Sequence, residues 1–424
     1  MSVVAAQDVA VSSRSGQRPV LGGMLVAAAV LLSALSLRVA VVSFSPLAER
    51  VTEALGLGKV YIGVFGMLPP ALFAAGGLVA PWLMGRIGLE STVLAGMVAT
   101  GAGMLARAFA PNGWMLLACT AIALGGMGTT NVVLPPLVKK HFPARIALMS
   151  ALYVTLLQIG TAAPAFVAIP LADSLGWRGA IGVWSAVGFL AALPWLFVRR
   201  RENGGAARVV RGDILHGVWR TRLGWAMAVL FGTCAMVSYA MFAWVAPVLT
   251  SAGASPAFAG SMVGVLPVLG MALSLVAPVA VTRMANPFPV LAACALGALL
   301  GFAGLWAAPT TLTVLWVMLI GFGMCTFPIV LVLINLRART HAGSAALSGF
   351  TQGVGYVISC LGPLLFGLLH TLTGGWGASF ALMALATVAG AIAAWTCSRA
   401  ISIEDQVAGT ARRRSRLTGR TEAV

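Results

Sequence analysis

Residues 60–110 read VYIGVFGMLPPALFAAGGLVAPWLMGRIGLESTVLAGMVATGAGMLARAFA. Two apolar runs, 60–84 and 91–110, are separated by a short connection that contains Arg86. Each run has about 20 residues, the length with which an α-helix crosses the hydrocarbon core of a bilayer. This stretch therefore predicts two transmembrane helices joined by a short basic loop.

The same pattern continues on both sides of this stretch. Of the 424 residues, 60% are hydrophobic and only 9% are charged, whereas about a quarter of an ordinary soluble domain is charged. We predict an all-α polytopic membrane protein with twelve transmembrane helices. The predicted segments are 20–46, 60–84, 91–110, 114–138, 146–171, 178–198, 223–249, 258–282, 288–308, 312–336, 344–369 and 376–397.

The basic residues predict the orientation. If the N-terminus lies inside, nearly all lysines and arginines of the connections fall on the cytoplasmic side, as the positive-inside rule requires. The formal net charge of +17 then faces acidic lipid, and a nucleic-acid partner is not expected. We predict a bacterial inner-membrane protein with both termini in the cytoplasm. Its non-membrane parts are an N-terminal tail (1–19), a basic linker (199–222) and a basic C-terminal tail (398–424).

The two halves of the chain, 20–198 and 223–397, repeat each other. Features of the first half recur about 200 residues later in the second, which indicates a duplicated six-helix bundle, as in alternating-access transporters. The matched features are Pro46 and Pro247, Leu68-Pro69 and Leu266-Pro267, Ala80-Pro81 and Ala277-Pro278, Arg86 and Arg283, Gly126-Met127 and Gly323-Met324, and Gly176-Trp177 and Gly375-Trp376.

Several short motifs resemble one transporter family. They are Leu37-Arg38-Val39-Ala40 with Pro46-Leu47, Asn131 to Pro135 with Lys139, Phe142-Pro143, Met149 and Tyr153, then Tyr239, Trp244 and Pro247, and finally Leu347-Ser348, Gln352, Gly355-Tyr356, Gly362-Pro363 and His370. With these residues the chain resembles the major facilitator superfamily (the major facilitator fold) and, within it, the cyanate permease and 2-nitroimidazole transporter family. The resemblance implies a cavity between the two bundles that is lined by helices one, four, seven and ten.

The chain departs from the superfamily at two motifs. In the loop after helix two, Gly85 occupies the place of the usual Asp, which leaves Arg86 without that gating partner. On helix five, the antiporter pattern is reduced to Gly160 followed by Ala163-Pro164. The second departure weakens the alternative of a multidrug or toxic-compound efflux antiporter.

Arg38 is the first candidate for substrate binding. It lies in the second half of a long apolar segment, where a charge is costly unless it faces a cavity or a partner. A guanidinium in a cavity can hold a small anion or a planar polar ligand with two parallel hydrogen bonds. The alternative is an arginine that caps carbonyl groups of a neighbouring helix.

Polar residues at mid-depth form a second group of substrate-binding candidates. Tyr239 stands in the second half where Arg38 stands in the first, so the two are expected to face each other across the pseudo-twofold axis. Hydrogen bonding between helices is the alternative role for every member. The other polar candidates are Asn131, Tyr153, Gln158, Asn335, Gln352 and Tyr356. Trp244 is a candidate for an aromatic wall of the site, and simple packing is its alternative role.

Four residues are assigned gating or structural roles instead: Arg86, Arg107, Pro46 and Pro247. Arg107 is near the outer end of helix three and is expected to extend to the lipid headgroups or to join helices. The histidines His141, His341 and His370 are expected to be solvated loop residues.

What is missing is also informative. None of the ten acidic residues falls in the middle of a predicted helix, so any proton coupling is expected to run through the substrate or through the charge of Arg38. The glycine-rich stretches lack a Walker lysine, and no cluster resembles an active site, so we predict neither a cofactor, nor a metal, nor an enzyme. The sequence thus predicts a monomeric secondary transporter for a small polar or anionic solute, such as a cyanate-like anion or a nitroimidazole-like heterocycle.

Overall fold

The computed structural model describes residues 18–58, 60–199, 215–268, 272, 281, 283–284, 286–399 and 401–408, and these form helices and their connections. Two 3-10 helices occur at Ser45–Leu47 and Pro143–Arg145. Outside the described residues lie most of the predicted N-terminal tail, the part 200–214 of the linker, the repeat residues Ala277-Pro278 and the basic tail beyond residue 408. The α-helices are α1 (Arg18–Ser36), α2 (Val39–Val42), α3 (Ala48–Ala54), α4 (Val60–Ile87), α5 (Leu89–Ala108), α6 (Gly113–His141), α7 (Ile146–Gly182), α8 (Ser185–Arg199), α9 (Leu215–Val218), α10 (Arg222–Ser251), α11 (Pro256–Val265), α12 (Phe288–Ala307), α13 (Thr313–Met324), α14 (Thr326–Leu336), α15 (His341–Thr373) and α16 (Gly377–Ser398).

Ten stretches of the described chain are long and apolar enough to cross a membrane. The longest, Leu148–Val198, contains two of the twelve predicted segments and bends at Gly176, whose φ of 69° suits glycine. The predicted segment 258–282 is described mainly over α11. The all-α multi-pass fold is therefore confirmed, and the ten stretches are compatible with the predicted count of twelve.

The first transmembrane segment differs from its prediction as one continuous helix over 20–46. Helix α1 ends at Ser36, and α2 begins only at Val39, because Arg38 adopts φ −121° and ψ −9°. The backbone is thus interrupted next to Arg38. Helix α2 ends again at Val42, so the carbonyl of Ala40 is free to accept a side-chain hydrogen bond. A helix break at membrane depth is tolerated where protein groups satisfy the backbone.

Glycine contacts support the predicted repeat. A Cβ atom on Gly103 would lie 2.5 Å from the backbone nitrogen of Ala123, and one on Gly301 would lie 2.6 Å from a side-chain carbon of Ile320. Each glycine therefore lets two neighbouring helices approach closely, as small residues do in membrane proteins. The same contact recurs about 200 residues later, between α12 and α13 instead of α5 and α6.

The two halves contact each other near one end of the bundle. We call the end that contains Arg86 and residues 401–408 the terminal face, and the opposite end the distal face. Near the distal face, Gly63 and Gly66 of α4 lie against Pro363 of α15, and Pro46 lies against Gly260 of α11. These contacts close the distal side of the space between the halves.

A C-terminal segment, residues 401–408, docks on the terminal face of the second half. Arg339 forms an ion pair of 2.7 Å with Asp405, and the side chain of Gln406 accepts from the backbone N–H of Leu223 at 3.0 Å. The Glu404 carboxylate accepts from backbone N–H groups at the start of α15. The segment therefore ties together the beginnings of α10 and α15.

Candidate binding site

Arg38 and Tyr239 meet between the two halves. Nη1 of Arg38 donates a hydrogen bond to the Tyr239 hydroxyl, and Tyr239 is only 3% exposed. The guanidinium carbon also lies 5.2 Å from the ring centroids of both Phe73 and Tyr239. These distances suit cation–π attraction, which strengthens when the groups are desolvated. Arg38 thus bonds a side chain of the other half, Tyr239.

Tyr356 of α15 completes this cluster from the second half. Its ring meets Phe73 edge-on at 5.8 Å and Phe231 at 5.1 Å. Its hydroxyl lies within electrostatic reach of Arg38 and the Asn131 amide, but it is buried without a hydrogen bond of ordinary geometry. Arg38 and Asn131 are thus the polar neighbours of this buried hydroxyl, and a ligand of Arg38 would also lie beside it.

We call Arg38, Phe73, Asn131, Tyr239 and Tyr356 the central cluster. It combines one cation, two phenol groups, one amide and an aromatic face. None of the ion pairs formed within the described ranges includes Arg38. A planar or linear polar ligand would find hydrogen-bond donors at its edge and an aromatic surface beside it.

The contacts between α10 and the first transmembrane segment follow the repeat. Arg38 bonds Tyr239, the Ser45 hydroxyl donates to the carbonyl of Phe242, and Thr250 donates to Glu49 at 3.0 Å. In each pair the two residues are about 200 positions apart. Equivalent residues of a two-fold arrangement meet each other only near its axis. The structure therefore brings the predicted pair of Arg38 and Tyr239 together at the pseudo-twofold axis.

Three further candidates lie on helices around this space. Gln158 of α7 donates to the carbonyl of Pro267 at 3.4 Å and so joins the two halves. Gln352 of α15 donates to Ser348 of the same helix at 2.8 Å. Tyr153 of α7 is half-buried and packs against the hydrophobic core. Their roles in binding remain predictions.

Two candidates do not belong to the central cluster. Asn335 was expected at mid-depth, but it is exposed in the last turn of α14 and accepts a hydrogen bond of 2.7 Å from Ser344. Trp244 is 1% exposed, donates its indole N–H to Pro363 at 2.8 Å and stacks near Phe366. The first residue joins the connected ends of two helices, and the second fills the core of the second half.

The remaining predicted residues are structural in position. Arg86 is exposed at the end of α4, with its guanidinium 4.3 Å from the ring centroid of Trp82. It takes part in none of the ion pairs of the described chain. Pro46 lies in the 3-10 helix that follows the break in the first segment, and Pro247 is buried inside α10.

Of the two roles expected for Arg107, its position fits the arginine that joins helices and not the one that extends to the headgroups. It is 0% exposed, donates from Nη1 to the carbonyl of Ala40 at 2.9 Å and lies 5.2 Å from the ring centroid of Phe44. The carbonyl of Ala40 is available because α2 ends at Val42, and its bond holds the arginine inside the bundle. Its Nε and Nη2 atoms have no hydrogen-bond partner.

Two histidines also differ from the prediction of solvated loop residues. His141 ends α6 and lies 3.0 Å from Glu90, which also pairs with Lys140 at 2.8 Å. His370 lies within α15 and stacks on Trp376 at 3.6 Å. Both are fixed by helix packing.

Phe73 is a member of the cluster that sequence reasoning missed. It is 2% exposed and lies beneath Arg38. A phenylalanine in an apolar run carries no signal of its position, because core-facing and lipid-facing residues of such helices are equally apolar. The burial of Arg107 could have been inferred from the sequence, because a charged residue within an apolar segment usually faces the interior of the bundle.

The six cysteines are free and all at least partly buried. Among the residues that the structure describes, no three His, Cys, Asp or Glu side chains are grouped so that they could hold a metal.

Residues 26–360 match the family model of the Major Facilitator Superfamily. A 2-nitroimidazole transporter of Escherichia coli strain K12 is 31% identical over 351 residues, which cover 82% of this chain and 89% of that protein. The cyanate transport protein CynX of the same organism is 26% identical, with 85% of this chain and 93% of the relative covered. A crystal structure of a bacterial homologue of the human lysosomal transporter Spinster, inward-facing and occupied, superposes with a TM-score of 0.72 at 15% identity, covering 92% of this chain and 99% of that one. A D-xylose–proton symporter gives 0.64 at 15% identity, with 91% and 98% covered.

Proposed function

The chain belongs to the major facilitator superfamily, and we propose that it is a secondary active transporter that moves a small polar or anionic solute across the bacterial inner membrane by alternating access. The terminal face is then cytoplasmic, because the basic connections lie there. The transport direction follows from the gradients, since a rocking carrier works in both directions.

The observation that carries this proposal is the bond between Arg38 and Tyr239. This bond joins the two halves through the guanidinium of Arg38, a cation that a small anion could bind. Arg38 has no carboxylate partner among the ion pairs of the described chain. A ligand that competes for the guanidinium would loosen this bond between the halves. Substrate binding and rearrangement of the halves would thereby be linked.

The names of the two relatives narrow the substrate class. Cyanate is a linear monoanion, and a 2-nitroimidazole is a planar heterocycle whose nitro group presents two oxygen atoms. Both would offer acceptor atoms to Arg38 and Tyr356 and a flat or narrow body to the ring of Phe73. We therefore infer a solute of this size and polarity.

The test is flux into proteoliposomes with cyanate and with 2-nitroimidazole, for wild type, Arg38→Ala and Arg38→Lys. Arg399→Ala is the matched control, because this exposed arginine lies 6.0 Å from the Trp395 ring centroid at the end of α16 and outside the cavity. We expect Arg38→Ala to lower flux by at least tenfold, Arg38→Lys to restore part of it, and the control to match wild type.

The alternative of toxic-compound efflux predicts a different result. Flux of bulky apolar cations that Arg38→Ala leaves unchanged, together with an absence of flux of both small solutes, would exclude the proposed solute class and favour efflux.

A further inference from the structure

A small cavity with a mainly apolar lining lies beside the central cluster, toward the distal face. It has a volume of about 30 Å³ and is bordered by α2, α4, α5, α6 and α10. Its polar lining comes from Ser45, Arg107, Thr120 and Tyr239, and the remainder is apolar. This volume has room for about two or three water-sized groups. Tyr239 connects the cavity with the central cluster, because its hydroxyl accepts the bond from Arg38.

Arg107 has one edge of its guanidinium unused. Nη1 donates to Ala40, whereas Nε and Nη2, which lie side by side on the other edge, have no partner. The residue is fully buried and takes part in none of the ion pairs of the described chain. A buried cation without a counter-charge is unfavourable, and an adjacent Nε–Nη2 pair matches two acceptor atoms of one planar anion.

The fold itself does not require a cation at this position. Gly103 and Gly301 make the same helix contact in the two repeats. Arg107 lies four residues after Gly103, and Leu305 lies four residues after Gly301. Leu305 is therefore the equivalent of Arg107 in the second repeat, and it is 1% exposed in an apolar core. The repeat therefore packs well with a leucine there, and the arginine of the first half calls for a different explanation.

We propose that Arg107 forms a second anion site, which takes a small planar monovalent oxyanion of the carboxylate or nitrate class. The anion accepts from Nε and Nη2 of Arg107, with Thr120 and Tyr239 at the same cavity wall. The position of this site on a transport route, between the central cluster and the distal contacts, rests on the proposed function. Binding itself does not rest on that function.

The site is tested by thermal unfolding of the purified, detergent-solubilised protein at constant ionic strength. Sodium nitrate or sodium formate replaces sodium gluconate, whose anion is too large for the cavity. Measurements use the Arg38→Ala background, so that the central cluster contributes nothing. An anion that binds only the folded state raises the melting temperature in a saturable manner.

We expect Arg38→Ala protein to retain a saturable response to nitrate and formate. Adding Arg107→Leu should abolish the response and leave the melting temperature in gluconate unchanged or higher, since leucine occupies the equivalent position of the second repeat. Adding Arg107→Lys should raise the apparent Kd at least tenfold, because an ammonium group lacks the planar pair of donors. Adding Arg399→Gln should change nothing.

A response that is absent in the Arg38→Ala protein, or equal with and without Arg107→Lys, overturns the second site. The lysine variant keeps the charge and thus tests the site even if the leucine variant does not fold. Failure of the proposed function has another signature, which is unchanged flux in Arg38→Ala proteoliposomes.

Discussion

Removal of the hydrogen bond between Thr250 and Glu49 should open the distal side more often. The bond is 3.0 Å long and joins the two halves at equivalent positions of the repeat. It exists while the distal side is closed and must break when the halves separate. A hydrogen bond to a charged group contributes about 1.5–3 kcal/mol, and partial exposure of both residues reduces this to about 1 kcal/mol. Thr250→Val should therefore raise the opening equilibrium constant about fivefold.

The assay is the rate at which a membrane-impermeant thiol reagent modifies a cysteine introduced at Ala48. Ala48 is 2% exposed and lines the cavity that also contains Arg107, so its modification requires opening. We expect the rate to rise about fivefold in Thr250→Val and similarly in Glu49→Gln, in line with the opening constant. Arg50→Gln is the matched control, because Arg50 pairs with Asp173 within the first half at 2.7 Å.

Equal modification rates in wild type and Thr250→Val would refute this reasoning. An equal acceleration in Arg50→Gln would also refute it, because the effect would then come from general loosening of the distal loops.

Further predictions concern the cluster, the packing and the C-terminal segment. Tyr239→Phe should raise the KM for the transported solute about five- to tenfold in proteoliposome flux with little change in melting temperature, because it removes the hydroxyl that positions Arg38 but keeps the ring. Gly160→Ala should destabilise the protein by about 1–3 kcal/mol in thermal unfolding, because the added Cβ would overlap the backbone oxygen of Leu35 in α1. Gly353→Ala should leave stability unchanged, because no atom lies within 4 Å of the added Cβ. Although burial alone would raise it, the pKa of Glu404 is held below its ordinary value of 4.5 by hydrogen bonds from the backbone at the start of α15. Docking of residues 401–408 should thus be complete above pH 4.5 and be lost as the pH falls through the lower folded-state pKa of Glu404. In the wild type, protease cleavage in this segment should therefore increase only at that acidic pH. In Glu404→Gln, cleavage should already be increased at neutral pH.

Most of the fold could be predicted, because membrane insertion depends on local properties of the chain. Apolar segments of about 20 residues must form helices in lipid, so the segments follow from composition and length. The repeat was visible because proline and glycine mark the same bends and close contacts in both halves. The break beside Arg38 was not predicted, since no proline or glycine stands at that point and the bond to Tyr239 that accompanies it comes from the other half.

The candidate site was predictable in part. Arg38 and Tyr239 were identified from the cost of a buried charge and from their matching positions in the repeat, and the structure brings them together. Asn335 was placed near them because it interrupts an apolar run, but it lies in the last turn of α14. Trp244 was placed there as a possible aromatic wall, but it lies in the core. A polar residue in a membrane helix has the same appearance in sequence whether it meets a substrate, a neighbouring helix or a helix end.

By itself, the sequence determined that this chain crosses a membrane many times, that its halves repeat, and that Arg38 must be accommodated within the apolar interior. Only the tertiary structure decided that Phe73 lies beneath Arg38, and that Arg107 turns inward to the carbonyl of Ala40 and away from the lipid headgroups. The physical reason is that lipid and protein core are equally apolar, so the sequence of a membrane helix does not mark its buried face. A long arginine side chain can also extend in either direction, and only the groups that surround it fix where its charge lies.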